Sequence, residues 1–325
     1  MDMSRRGFLQ SAVATAGVAG LTAQAQEKPL SAYGRGALGK IVGELPPGRY
    51  DAHMHVFESG VAEPKPEEFW KEMQRQGMSG GCLFSASPNV RPFGQPPLIP
   101  DPEKAMDNVI AWCSASPTLY PFYWIDPGAP DALELVDMAV EKGIFGFKVI
   151  RSNGMPCDEK TLPVYAKIAD ANRPLTFHTG ILFDGMPSSQ YFRPVNFEPL
   201  LDVAKLRFAM AHVSWPWHDE CVALYGKIRC TNDLYRPGKT PKMFIDTTVG
   251  SPDHYRKAVL SAVHSVYDVT DRVMFGTDHF VAHYDPDGWT KKQMVLDDGI
   301  LSELGKGATV VDSYYRRALQ QFLFG

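Results

Sequence analysis

The chain has 325 residues, 44% of them hydrophobic, with 33 Lys plus Arg against 37 Asp plus Glu and a formal charge of -4. That apolar content can bury a large core and excludes general disorder, while the mild acidity, with no basic stripe, argues against a nucleic acid partner. Five cysteines, at 82, 113, 157, 221 and 230, are too few and too scattered for a disulfide framework, and no CxxC pair offers a zinc ribbon or redox loop.

Residues 1–25 read as an export leader. Ser4-Arg5-Arg6-Gly7-Phe8-Leu9-Gln10 resembles a twin-arginine translocation motif, an uncharged run follows, and Ala23-Gln24-Ala25 fits a small-x-small cleavage site. The run is shorter than the roughly 20 apolar residues that span a bilayer, so no stable membrane anchor is expected. The expected partner is the export machinery and the expected location periplasmic. Such export implies folding, with any metal loaded, before translocation. Cys221 and Cys230 are therefore expected to be small buried hydrophobes rather than a staple. Cleavage removes Arg5, Arg6 and Asp2, leaving 31 basic and 36 acidic residues and a charge of -5.

Residues 26–49, rich in Gly and Pro, read as an N-terminal arm. From there β-rich runs alternate with amphipathic stretches. The predicted strands are 50–57, 81–85, 119–125, 145–150, 174–178, 207–213, 243–248 and 272–277, spaced as βα units require. Leu133, Val136 and Val140 share a helical face that Gly143 ends, and Ser251-Pro252 opens a helix running to about Tyr267. Eight repeats without a composition break predict one α/β domain, a (β/α)8 TIM barrel over residues 50–325. Long, chemically loaded connections follow the strands: 87–102 holds six prolines, and 181–199 carries Phe183, Asp184, Tyr191, Phe192 and Arg193. The working surface therefore belongs at the strands' C-terminal ends. These loops are also candidates for a homo-oligomer interface.

The chemistry starts in Asp51-Ala52-His53-Met54-His55. Residues two apart on a strand share a face, so His53 and His55 both point into the barrel and can share one divalent metal. Predicted strand five ends Phe177-His178-Thr179-Gly180, strand six holds Ala211-His212-Val213, and strand eight ends Gly276-Thr277-Asp278. Four of the nine histidines thus fall at strand ends beside an acid. Burying such groups unpaired in a barrel costs several kcal/mol, which points to a metal centre.

The ordered phrases DAHMHVF, GFKV, FHTG, AHVSW and FGTDH resemble the amidohydrolase superfamily, in particular its amidohydrolase-related (amidohydrolase 2) branch, from about Tyr50 to about His279. The resemblance implies His53, His55 and His178 as metal ligands, Asp278 as ligand and proton acceptor, and His212 as a second general acid/base or polarising group. It implies zinc first, with manganese, iron or cobalt as alternatives. Metal-activated water would then hydrolyse a C–O or C–N bond (lactone, ester or amide) of a small, acidic or aromatic substrate. A metal-dependent non-oxidative decarboxylase of an aromatic or muconate-type acid would use the same residues. A non-catalytic exported ligand-binding barrel is the third reading, and it leaves Asp278 without a chemical reason.

Lys148 either becomes carboxylated to bridge two metals, as in phosphotriesterase-like members, or pairs with a carboxylate or the substrate. The second reading is adopted, and with it one ion over two. Arg151, Arg193, Trp215, Trp217 and His218 are candidates to hold an acidic, ring-bearing substrate by bidentate bonds and stacking, the alternative being rim packing. His279 should point away from the barrel interior, and His254 and His264 should lie on a helix surface. Asp246 is assigned structural hydrogen bonding. His283, Asp285 and Asp287 could form a weak second ion site, which a turn explains more simply.

Overall fold

The computed structural model describes residues 28–56, 65–88, 99–248, 252–285 and 287–325. The leader, Phe57, Ser251 and most of the proline-rich loop therefore lie outside the described residues.

A short antiparallel pair, β1 (Gly34–Arg35) with β2 (Ile41–Val42), makes up the arm's only strands among the described residues. The parallel strands follow as β3 (Arg49–His55), β4 (Met78–Phe84), β5 (Leu119–Trp124), β6 (Gly146–Val149), β7 (Pro174–Phe177), β8 (Arg207–Met210), β9 (Lys242–Asp246), β10 (Val273–Met274) and β11 (His279–Phe280). Around them lie α1 (Pro66–Arg75), α2 (Pro102–Cys113), α3 (Ala132–Glu141), α4 (Leu162–Asp170), α5 (His218–Cys230), α6 (Asp253–Val266), α7 (Trp289–Glu303), α8 (Ala308–Asp312) and α9 (Ala318–Phe324).

The sheet runs β10-β9-β8-β7-β6-β5-β4-β3-β11, every neighbour parallel. Its two outermost strands are pieces of one segment. Val273–Met274 pairs with β9, His279–Phe280 pairs with β3, and between them Ala52 N donates to Phe275 O at 2.9 Å and Asp278 N to His53 O at 2.8 Å. The eighth strand is thus split and closes the ring, giving the (β/α)8 TIM barrel expected.

Helix formation follows the apolar spacing. In α2 the buried Ala105, Met106, Val109, Trp112 and Cys113 repeat at one face, Pro102 takes the first turn, and the Asp101 carboxylate accepts from Lys104 N at 3.1 Å. In α3 the buried face is Ala132, Leu135, Val136 and Ala139, and Leu133 is exposed, so the expected stripe is displaced by one position. The fifth unit has no α-helix on its return: Pro194 to Asp202 winds as a 3-10 helix, because Pro199 removes the amide an α-helix would need there.

Two apolar shells fill the molecule. The outer one lies between sheet and helices. The inner one plugs the barrel below its mouth: Phe84 meets Phe122 at 5.5 Å between ring centroids, and Phe322 of α9 reaches Phe122 at 6.2 Å and Phe244 at 5.2 Å. Arg207, buried at the opposite end from the mouth, donates to Phe322 O and Leu323 O, which caps α9 against the barrel floor.

All five cysteines are free thiols. Cys221 is buried as expected, whereas Cys230 is exposed. Among the described residues no helix is long and apolar enough to cross a membrane. His264 corrects the expectation of a surface position: it is buried on the inner face of α6, while His254 is exposed.

Candidate metal centre

β3 delivers the first two ligand-type side chains, with a local irregularity. Asp51 pairs with Gly81 and Met54 with Leu83, so three steps on β3 match two on β4 and the chain bulges before His53. Past the bulge the period of two resumes, and His53 and His55 both face inward. Gly81 permits this approach, since a Cβ there would sit 1.9 Å from Asp51 O.

The bulge releases Asp51 for another task. Its carboxylate accepts from His53 N at 3.0 Å, Thr277 N at 3.0 Å, Thr277 Oγ1 at 2.6 Å and Tyr284 OH at 3.1 Å, tying the first strand to the eighth. Burial pushes this carboxyl up to about 7 against those bonds.

At the mouth His53 Nε2 lies 3.1 Å from His55 Nε2, and Asp278 Oδ1 lies 3.2 Å and 3.0 Å from the two. His53, His55 and Asp278 each offer one ligand-type atom, all within 4.8 Å of one another. On the far side of its ring, His53 Nδ1 is 2.6 Å from Asp246 Oδ2. Thr248 N donates to the other Asp246 oxygen at 2.8 Å. Burial opposes charge on Asp246, but His53 and Thr248 hold it below its ordinary value, so it is a carboxylate and Nδ1 is the donor. That leaves Nε2 as the ring nitrogen that faces Asp278 and His55, the orientation a metal-ligating histidine needs.

Lys148 approaches the same nitrogen, with Nζ 3.2 Å from His53 Nε2 and 4.8 Å from the Phe84 ring. Burial pulls its ammonium down to about 8, with Asp278 and Asp246 opposing. The donor set of two imidazoles and a carboxylate beside it fits a divalent ion.

The electrostatics sort the imidazoles. Burial and the Lys148 charge depress His53, yet Asp246 and Asp278 outweigh them and leave it above its usual value. Burial takes His55 and His212 down to about 4 and His178 well below the ordinary histidine range. Burial would raise Asp278, but His53 and His55 hold it well below the usual carboxylate range.

His178 and His212 stand side by side at the ends of adjacent strands, ring centroids 4.8 Å apart, and His212 is 5.2 Å from His53. His178 Nε2 and His212 Nδ1 are buried without a protein partner. Neither residue joins the three-atom cluster of His53, His55 and Asp278.

His212 does not sit on a strand, as the expected 207–213 would have it. β8 ends at Met210, and His212, Val213 and Ser214 adopt φ of 60°, 48° and 55°. Three left-handed non-glycine residues in succession, one β-branched, are costly and persist only where the surroundings impose them. Thr179 Oγ1 donates to Ala211 O at 2.6 Å and Ser214 Oγ to Thr179 Oγ1 at 2.9 Å, which pins the turn to the end of β7. Gly180 completes the fit, because a Cβ there would lie 2.4 Å from Trp215 O. Asp278 is also left-handed, at φ 65°.

The loop candidates divide. Arg151 pairs with Asp158 at 3.1 Å through Nη2, while its Nε and Nη1 are buried without a partner. Arg193 is engaged with Glu220 and lies over Trp217, 5.3 Å from the ring. Trp215 approaches Tyr255 at 6.3 Å, and His218 Nδ1 is buried and unpartnered. His279 turns outward as expected, packing on Tyr284 and Trp289 at 5.3 Å each. Asp285 accepts from Trp289 N and from Thr290 N, so it caps α7.

Asp51 was invisible as a functional residue, although its place two residues before His53 in a buried run was a signal. Asp246 lies 193 residues from His53, a separation no local pattern reveals.

No curated protein matches the sequence. Among solved structures, the chain is similar to a probable 2-pyrone-4,6-dicarboxylic acid hydrolase of Acinetobacter baumannii with citric acid bound, at 10% identity and TM-score 0.53, covering 85% of this chain and 99% of that one. It is similar to a 5-carboxyvanillate decarboxylase of Novosphingobium aromaticivorans with bound manganese, at 13% identity and TM-score 0.52, covering 79% and 80%. A dihydroorotase of Campylobacter jejuni matches at 14% identity and TM-score 0.52, covering 84% and 82%. At these identities the likenesses establish the barrel. The family profile Amidohydro_2, amidohydrolase, matches residues 50–303, and the chain is an enzyme belonging to the amidohydrolase family.

Proposed function

We propose that this chain is an exported metal-dependent hydrolase that cleaves a C–O or C–N bond, in a lactone, ester or amide, of a small acidic substrate. The observation that carries the reading is the convergence of His53 Nε2, His55 Nε2 and Asp278 Oδ1 within 3.2 Å of one another, with Asp246 fixing the His53 tautomer. His178, whose Nε2 has no protein partner, would complete the ligand set, and one ion is proposed, with zinc first among the candidates. A divalent ion held there polarises a carbonyl and acidifies water.

The protein's own groups do the rest. Asp278, held as a carboxylate by His53 and His55, takes the proton from the attacking water and hands it to the leaving group. His212, neutral near pH 7, donates a hydrogen bond to the oxygen on which negative charge develops. Lys148 supplies positive charge beside His53. Arg151, with Nη2 on Asp158 and its Nε–H unpartnered, is the candidate to donate to a substrate carboxylate. Trp215, Trp217, His218 and Arg193 form the rim.

Decarboxylation is the second reading, supported by the likeness to the manganese-bound decarboxylase and served by the same donor set. Incubation in ¹⁸O-water separates the two: label in the product marks hydrolysis, and carbon dioxide release without label marks decarboxylation. Metal analysis tests the shared premise. A divalent metal near one per chain is expected, and its loss in His53→Ala; protein that takes up no zinc, manganese, iron or cobalt refutes it. Export through residues 1–25 is tested by fractionation, with a mature N-terminus at Gln26 expected.

A further inference from the structure

Trp124 ends β5 beside this centre. Its ring is 5.8 Å from the His55 ring, and its Cα partner in the sheet is Lys148. The backbone is held on both sides: Trp124 N donates to Ser85 Oγ at 2.9 Å, and the next amide, Ile125 N, donates to Lys148 O at 2.9 Å. The indole is therefore placed by two neighbouring strands, not by a loop. It is partly open at the mouth, yet its Nε1 is buried and has no hydrogen-bond partner.

A buried donor without an acceptor is costly in a barrel that satisfies most of its other polar atoms, so it calls for an explanation. An indole N–H can only donate, so what completes it must be an acceptor. The register partner of Trp124 on β6, Lys148, reaches the same centre with its ammonium, 3.2 Å from His53 Nε2, which favours an acceptor that carries negative charge. We infer that Trp124 is a substrate-binding residue whose Nε1–H donates to an anionic oxygen of the substrate, a carboxylate placed beside His55. The inference rests on the proposed metal-centred reaction at this mouth. It adds to that reading a requirement for a charged oxygen next to the reacting centre, distinct from the Arg151 grip.

The test uses zinc-loaded full-length mature protein, a panel of benzoate, salicylate, succinate and citrate as probes, and Trp124→Phe, which keeps an aromatic ring and removes the N–H. Calorimetry is expected to show at least one carboxylate binding the wild type, and about tenfold or weaker binding by the variant, as for loss of a hydrogen bond to a charged group. Metal stoichiometry and melting temperature should be unchanged. In ¹⁵N-indole spectra, the resonance missing from Trp124→Phe should move on titration and saturate with the same Kd. A resonance that stays put at saturation, variant binding within twofold of wild type, or no carboxylate binding at millimolar concentration overturns the inference. The zinc content of the same samples reports separately on the metal centre, so the two readings fail distinguishably.

Discussion

His53 and Asp246 meet edge to oxygen across the barrel at 2.6 Å, both side chains buried, and this contact decides which nitrogen of His53 is left for a ligand. Asp246→Asn keeps the volume but offers an amide that can present N–H₂ instead of an acceptor. The expected result is a 10- to 100-fold loss of metal affinity, roughly the usual cost of removing a carboxylate behind a ligating histidine. Competition against a chelator measures it; unchanged affinity would show that Asp246 serves only packing.

Gly276 makes room for that pair. A Cβ there would lie 2.9 Å from Asp246 Oδ1 and 3.0 Å from His53 Cβ. Gly276→Ala should therefore lower metal occupancy and turnover together, with circular dichroism close to wild type. Wild-type occupancy in the alanine variant would place the slack elsewhere.

Between α6 and α7, Arg256 and Asp297 form a fully buried pair, with Nε to Oδ1 at 2.9 Å and Nη2 to Oδ2 at 2.7 Å, joined by Tyr314 and Gln293. Asp297→Ala strands the guanidinium, a change that costs about 3–5 kcal/mol. Urea unfolding should show a loss of that order, whereas Asp297→Ala combined with Arg256→Met should recover a large part of it.

The pH dependence of stability has a component outside the centre. Burial, with help from Lys306, takes His264 down to about 4, below the unfolded value of about 6.5. The unfolded chain then binds the extra proton between these values. The contribution is full above pH 6.5 and is lost as pH falls toward 4, up to about 3 kcal/mol in all. His264→Leu should flatten that part of the melting temperature profile relative to wild type; parallel profiles would remove His264 as its source.

Alternation and spacing made the barrel legible, because strand and helix periods are local properties of the chain. His53 and His55 were readable for the same reason, since a shared strand face follows from a separation of two. The bulge at Asp51 was not, because it depends on how Gly81 packs under the neighbouring strand. Nor was the left-handed turn at His212 to Ser214, where three ordinary residues take a conformation their own preferences disfavour. His264 shares the buried face of α6 with Val259, Leu260 and Val263 at ordinary helical spacing, but Arg256 on that face obscures it as the apolar one. Asp246 and Trp124 become informative only through partners brought from distant strands.

The eighth strand gives the molecule a seam. Residues 275–278, between its two halves, receive the bond from Ala52 and donate the one to His53, and they also carry Asp278. Fastening the ring and setting the carboxylate are therefore one event. A folding intermediate with the first seven strands paired but the seam open would have a floor, walls and three of the four expected ligands, and no chemistry. Activity should thus be the last property to return on refolding, appearing with closure and not with secondary structure.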